Sequence, residues 1–140
     1  MATFIYDGCI GNIVSQNINF NADTFYVMLV TSGYSPNQAT HEYRSSVTSE
    51  VVATGYTAGG QATTPTVFED YVTNHRVTIS FSQVTWTSAT ITARAAVIYK
   101  NRGGAASADE LVAYVDFGSD QSNSGGNFTL TFTTPLVLQN

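Results

Sequence analysis

Arg76-Val77-Thr78-Ile79-Ser80-Phe81-Ser82 places three large apolar side chains on alternate residues, with Thr78, Ser80 and Ser82 between them. A two-residue period is that of a strand with one buried and one wet face. Upstream, Asn74-His75 predicts a turn from a preceding strand near residues 67–72. Downstream, Val84-Thr85-Trp86 continues the pattern, and Ile91, Ala93, Ala95, Val97 and Tyr99 then fall on one face of a long strand, opposite Thr90, Thr92 and Arg94. Ala96 and Ile98 add apolar residues to the second face, so the later half of that strand reads as central and covered. Leu111, Ala113, Val115 and Phe117 make a further strand, and Phe128, Leu130 and Phe132 alternate with threonines in the last clear one. Pro135 argues for an edge or exit position, and residues 101–109 and 118–126, rich in Gly, Ser, Asn and Asp, read as connectors.

Toward the N-terminus, Phe25-Tyr26-Val27-Met28-Leu29-Val30 is a continuous apolar run bounded by turn residues, the signature of a strand buried on both faces. Residues 39–47 carry no clean alternation and fit either a short helix or an irregular loop. Thr54-Gly55-Tyr56-Thr57-Ala58-Gly59-Gly60 is a loop by its glycines. Residues 1–22 scatter apolar side chains among asparagines and are assigned to an N-terminal arm or edge strand, with residues 23–140 forming a single β-sandwich domain. About seven or eight closely spaced strands without βαβ alternation predict an all-β fold, an antiparallel sandwich or jelly roll, with a barrel as the nearest alternative.

The 140 residues carry a net charge of -5 and only 11% charged residues against 43% hydrophobic ones. A typical chain has about 25% charged residues. Threonine, serine and asparagine fill the deficit. The fixed cations are Arg44, Arg76, Arg94, Lys100 and Arg102, too few for a patch that neutralises many phosphates, so neither nucleic acid nor an anionic membrane is an expected partner. Cys9 is the only cysteine, which excludes an internal disulfide and a thiolate zinc site. Met1-Ala2-Thr3-Phe4-Ile5 has neither the basic start nor the apolar stretch of a signal peptide, and synthesis in a reducing cytoplasm is expected.

Catalysis needs titratable groups that converge, and the spacing here brings few together. His41 and Glu42 are adjacent, which sends them to different faces of a strand or helix, and His75 sits in a predicted turn. Glu69-Asp70, Asp109-Glu110 and the pair Asp116 and Asp120 read as solvated acidic turns, without the spacing of a cation-binding loop. Asp116-Phe117-Gly118 matches a kinase tripeptide but lacks the rest of that machinery. Gly59-Gly60, Gly103-Gly104 and Gly125-Gly126 lack a phosphate-loop lysine, and Asn127-Phe128-Thr129 fits a glycosylation sequon without a secretion signal. Tyr26, Tyr43, Tyr56, Tyr99, Tyr114 and Trp86 could build a glycan platform but at strand spacing read as core or subunit-contact residues. No catalytic, cofactor-binding or metal-binding residue is assigned, and a non-enzymatic role is expected.

Three segments together resemble a family of small virion structural proteins of tailed bacteriophages. They are the run from Phe25 through Ser32-Gly33-Tyr34-Ser35-Pro36-Asn37, then Gly55-Tyr56-Thr57-Ala58-Gly59-Gly60, then Val84-Thr85-Trp86-Thr87 leading into Ile91-Thr92-Ala93-Arg94 and Val97-Ile98-Tyr99-Lys100. The segment from Leu111 to Asp116-Phe117-Gly118 is similar to the same family's closing part, so the resemblance spans residues 18–133. The closest likeness is to head decoration, or cement, proteins. That resemblance implies a homotrimer bound to the major capsid protein of an assembled shell, located on the virion and assembled in the bacterial cytoplasm, with no cofactor. A tail or baseplate component, or a receptor- or glycan-binding module, is the alternative. Under the cement reading, residues 2–20 are expected to reach a neighbouring subunit or the shell.

Overall fold

A computed structural model describes residues 3–139. The architecture is all-β, with strands in antiparallel sheets and little helix. In chain order the elements are β1 (Phe4–Ile5), α1 (Asp7–Val14), β2 (Phe25–Val30), β3 (Gln61–Thr63), β4 (Pro65–Asp70), α2 (Tyr71–Asn74), β5 (Arg76–Phe81), β6 (Val84–Ala89), β7 (Thr92–Lys100), β8 (Leu111–Ser122), β9 (Gly126–Leu130) and β10 (Leu136–Gln139). One layer is a five-stranded sheet ordered β1-β8-β7-β2-β3. Facing it are a three-stranded sheet, β10-β5-β4, and a two-stranded sheet, β6-β9.

Strand β2 shows why its sequence is apolar throughout. Phe25, Val27 and Leu29 enter the core between the layers, where they meet Ile79 and Phe81 of β5 and Trp86 of β6. Met28 and Val30 enter a second apolar cluster on the other side of the same sheet, with Tyr6, Tyr34, Val97, Tyr99 and Tyr114. Both faces of the five-stranded sheet are therefore covered, which is the condition under which a strand loses its polar alternation.

The long strand β7 differs from its expected pattern. Ala95 and Val97 lie in the outer cluster while Ala93, Ala96 and Ile98 lie in the inner one. The cause is a break in register: Ala93 pairs with Gln121 and Ala95 with Asp116, so Arg94 stands opposite the bulged residues 117–120 of β8. A bulge of this kind flips every side chain beyond it to the other face. A second break between the pairs Ile98–Ala113 and Tyr99–Leu111 places both Val112 and Ala113 in the inner core. Residues 118–126 are accordingly not one connector, because β8 runs through Gly118 to Ser122.

Residues 39–47 hold only a single 3-10 turn, Arg44–Ser46. Within residues 3–22 the chain is not a projecting arm. Strand β1 is an edge strand, paired with Tyr114 and Ala113, and the helix α1 that follows it is neither an arm nor a strand. Tyr6, Cys9 and Ile18 are buried, with Ile13 and Phe20 packed against the core. That apolar content holds the segment on the body, with Ile10 and Val14 left exposed on α1; residues 1 and 2 lie outside the described residues.

Candidate functional site: exposed apolar residues at one end of the sandwich

Strands β4 and β5 form a hairpin whose tip is the single turn α2, closed by His75 in the left-handed region at φ 53°. The tip lies beyond the packed core, so Tyr71 and Val72 project, and Val72 is 97% exposed. On the outward face of the three-stranded sheet, Thr78 pairs with Phe68 on one side and Val137 on the other. Phe68 is 62% exposed. On α1, Ile10 and Val14 are four residues apart and share one stripe, turned away from the buried Cys9. A groove of ≈ 490 Å³ joins Ile10 and Val14 to Val137 and Leu138 of β10, and a second joins Leu138 to Tyr71 and Val77.

Six of the eight large apolar side chains that are exposed among the described residues therefore belong to this end: Ile10, Val14, Phe68, Tyr71, Val72 and Val137. Tyr43 and Val52 are the two elsewhere. Scattered exposed apolar residues are ordinary on any surface, whereas a contiguous set marks a contact site. The face also carries charge. Asp7 lies on the Ile10–Val14 stripe of α1, the groove at Tyr71 is lined by His75 and by Arg76, and the exposed Glu69, paired across the hairpin with Val77, falls on the opposite side of the sheet from Phe68. Neither carboxylate forms an ion pair among the described residues.

All five fixed cations are already engaged. Arg44 Nε lies 2.8 Å from the fully buried Asp109 carboxylate, and Arg102 Nη2 lies 2.7 Å from Glu110. Lys100 pairs with Asp23 at 3.0 Å, Arg94 with Asp116 at 3.1 Å and Arg76 with Asp70 at 3.2 Å. Asp109-Glu110 and Asp116 are thus structural anion sites, not the solvated turns that the sequence suggests. The Arg102 guanidinium holds the Glu110 carboxyl below its usual range. Burial pushes Asp116 up, yet the Gly118 amide and the Arg94 guanidinium outweigh it and hold that carboxyl at about 2. Asp120 is exposed in the β8 bulge, apart from Asp116.

The histidines do not meet. His41 Nδ1 lies 2.9 Å from the Tyr34 hydroxyl, which in turn lies 2.9 Å from the buried Tyr6 hydroxyl. The adjacent Glu42 turns to α1, where it accepts a hydrogen bond from Asn12 Nδ2. His75 is exposed at the hairpin tip. Burial pushes the Cys9 thiol up to about 12, far from a reactive thiolate. The aromatic residues singled out in the sequence divide: Tyr99, Tyr114 and Trp86 are buried, and Tyr56 donates from its hydroxyl to Glu50 at 2.6 Å, so these four form no platform. Asn127 of the sequon is exposed on β9.

A separate cleft of ≈ 610 Å³ opens between the β1–β8 edge and residues 130–137. Its walls include Phe4, Ile5, Phe81, Phe117, Phe132 and Leu136, and Asp116, already bonded to Arg94 and Gly118, is its one ionisable lining residue. Among the described residues no group of three or more His, Cys, Asp or Glu is placed to hold a metal ion. No helix is long and apolar enough to cross a membrane. Comparisons with protein-family models, with curated proteins and with solved structures find no match.

Proposed function

We propose that this chain is a non-enzymatic structural subunit of a tailed-phage virion, a decoration or cement protein that binds the assembled major capsid protein shell. The series of segments resembling phage virion proteins supports this reading, and the observation that carries it is the gathering of exposed apolar side chains at the α1 and β4–β5 end. Six large apolar side chains exposed together on a chain with only 11% charged residues suit a surface that is covered in its working state. A subunit that binds only the assembled lattice stabilises it by linkage, as any native-state ligand does. A homotrimer would add avidity, since linked weak contacts act together.

Gold-labelled antibody against the chain, applied to intact particles and viewed by electron microscopy, tests the assignment. Label over every facet of the head is expected. Label confined to the tail would replace the cement role with a tail or baseplate one, and unlabelled particles would remove the virion assignment altogether.

A further inference from the structure

We propose that His41 is an acid-sensitive latch: its unprotonated Nδ1 holds the loop of residues 34–41 on the segment that leads into α1, and protonation of that nitrogen releases the loop.

The hydrogen bonds fix where the imidazole proton sits. Nδ1 lies 3.2 Å from the backbone nitrogen of Asn37, a group that can only donate. It is therefore the bare nitrogen of the ring, with the proton on Nε2. The Tyr34 hydroxyl, 2.9 Å from the same nitrogen, donates to it as well. A hydroxyl has one proton to give, so across the 2.9 Å contact between Tyr34 and Tyr6 the donor is Tyr6. The chain thus runs one way, from Tyr6 through Tyr34 to His41, and ends on a lone pair. The Tyr34 and His41 rings stack at 5.7 Å. Two further bonds tie the same loop to the same segment: Gln38 Nε2 donates to the Ile5 carbonyl at 2.9 Å, and the Asp7 amide donates to the Gln38 carbonyl at 3.0 Å.

A proton on Nδ1 turns the acceptor into a donor. The Asn37 N–H then faces another N–H, and the chain can persist only by reversing. Reversal leaves the Tyr6 hydroxyl proton without an acceptor, because Tyr6 has no exposed surface and Tyr34 is its one hydrogen-bond partner among the described residues. No carboxylate lies within ion-pair distance to favour the new cation among the described residues. The ring is faced by Tyr34, with Tyr6 and Tyr114 behind it. The adjacent Glu42 accepts from Asn12 of α1, and Asp7 meets the loop through its backbone amide. Farther along, Tyr43 is bridged to Glu110, which pairs with Arg102, and Arg44 pairs with Asp109.

Solution NMR of the full chain tests the latch. At about pH 7.5, long-range nitrogen–proton couplings should show the His41 proton on Nε2, and a proton on Nδ1 overturns the proposal. Once the Cε1 proton shift reports a protonated His41 ring, the Asn37 and Asp7 amides should exchange with water at least about tenfold faster than intrinsic pH dependence accounts for, while β2 and β7 amides keep their protection. His41→Asn supplies an oxygen acceptor that does not titrate, and should keep both loop amides protected on either side of that titration. His41→Phe keeps a ring on Tyr34 without the acceptor, and should expose them on either side. His75→Asn, at the exposed hairpin tip, should behave as wild type. Loop amides that stay protected when His41 is protonated, that open together with β2 and β7, or that open in His41→Asn as in wild type, overturn the proposal.

Discussion

A Cβ built on Gly60 would stand 1.8 Å from the carbonyl oxygen of Val27, and Gly60 itself lies at φ +80°. The loop from Gly55 to Gly60 is thereby laid directly on strand β2, and Tyr99 of the neighbouring β7 donates from its hydroxyl to the Gly59 carbonyl at 2.6 Å. Gly60→Ala should destabilise the protein by more than about 2 kcal/mol, since backbone must move on top of the left-handed strain. Gly103→Ala, at φ +82° with open space around it, should cost about 1 kcal/mol. Urea denaturation of the two variants compares them directly.

The hydroxyl chain from Tyr6 through Tyr34 to His41 ties the segment before α1 to the loop after β2. Tyr34→Phe removes the middle hydroxyl and strands that of the buried Tyr6, at a cost of about 1–3 kcal/mol. In the double variant Tyr6→Phe, Tyr34→Phe no such hydroxyl is stranded. A double-mutant cycle should therefore show a double variant less destabilised than the sum of its singles.

Asp109 has no exposed side-chain surface, and it accepts from both Arg44 Nε and the Arg102 amide. Asp109→Ala should cost about 3–5 kcal/mol, because the guanidinium of Arg44 loses its partner in a partly buried site. Glu69→Gln, at an exposed position of β4, should leave stability within about 0.5 kcal/mol of wild type. A thermal melt separates the two outcomes.

Acid should unfold the protein partly through Asp116 and Glu110. Both carboxyls are held below their usual values in the folded state, Asp116 at about 2 in place of 3.8. A group depressed in this way contributes its stability above its unfolded value and loses it as pH falls through the folded one. The Asp116 part should fade between about pH 4 and pH 2. Asp116→Asn should be less stable than wild type at neutral pH and show a flatter decline across that window, as measured by denaturation midpoints.

Legibility of the sequence followed the reach of the interactions involved. Val77, Ile79 and Phe81 announce β5 because one face is wet, and the β2 run announces burial on both faces. Helix α1 escaped notice because Gly8, Gly11 and Asn12 are poor helix formers and because Ile10 and Val14 are apolar on its exposed side, which blurs a 3.6-residue period. The bulge opposite Arg94 is a property of two strands paired across the sheet, and periodicity within one strand cannot reveal it. The β10 strand was hidden behind Pro135, which reads as an end. The ion pairs join residues as far apart as Arg44 and Asp109, separated by 65 positions, so acidic pairs that look solvated in sequence prove to be committed. The exposed face drew on three separate elements, α1, β10 and the hairpin tip, and only the fold brings them together.

The number of copies of this chain per purified virion, measured by quantitative mass spectrometry against the major capsid protein, bears most directly on the shell-decoration reading. That reading predicts a copy number on the order of hundreds, in a fixed ratio to the capsid protein. A count of about six or twelve, matching a tail ring or vertex part, or no copies at all, would contradict it.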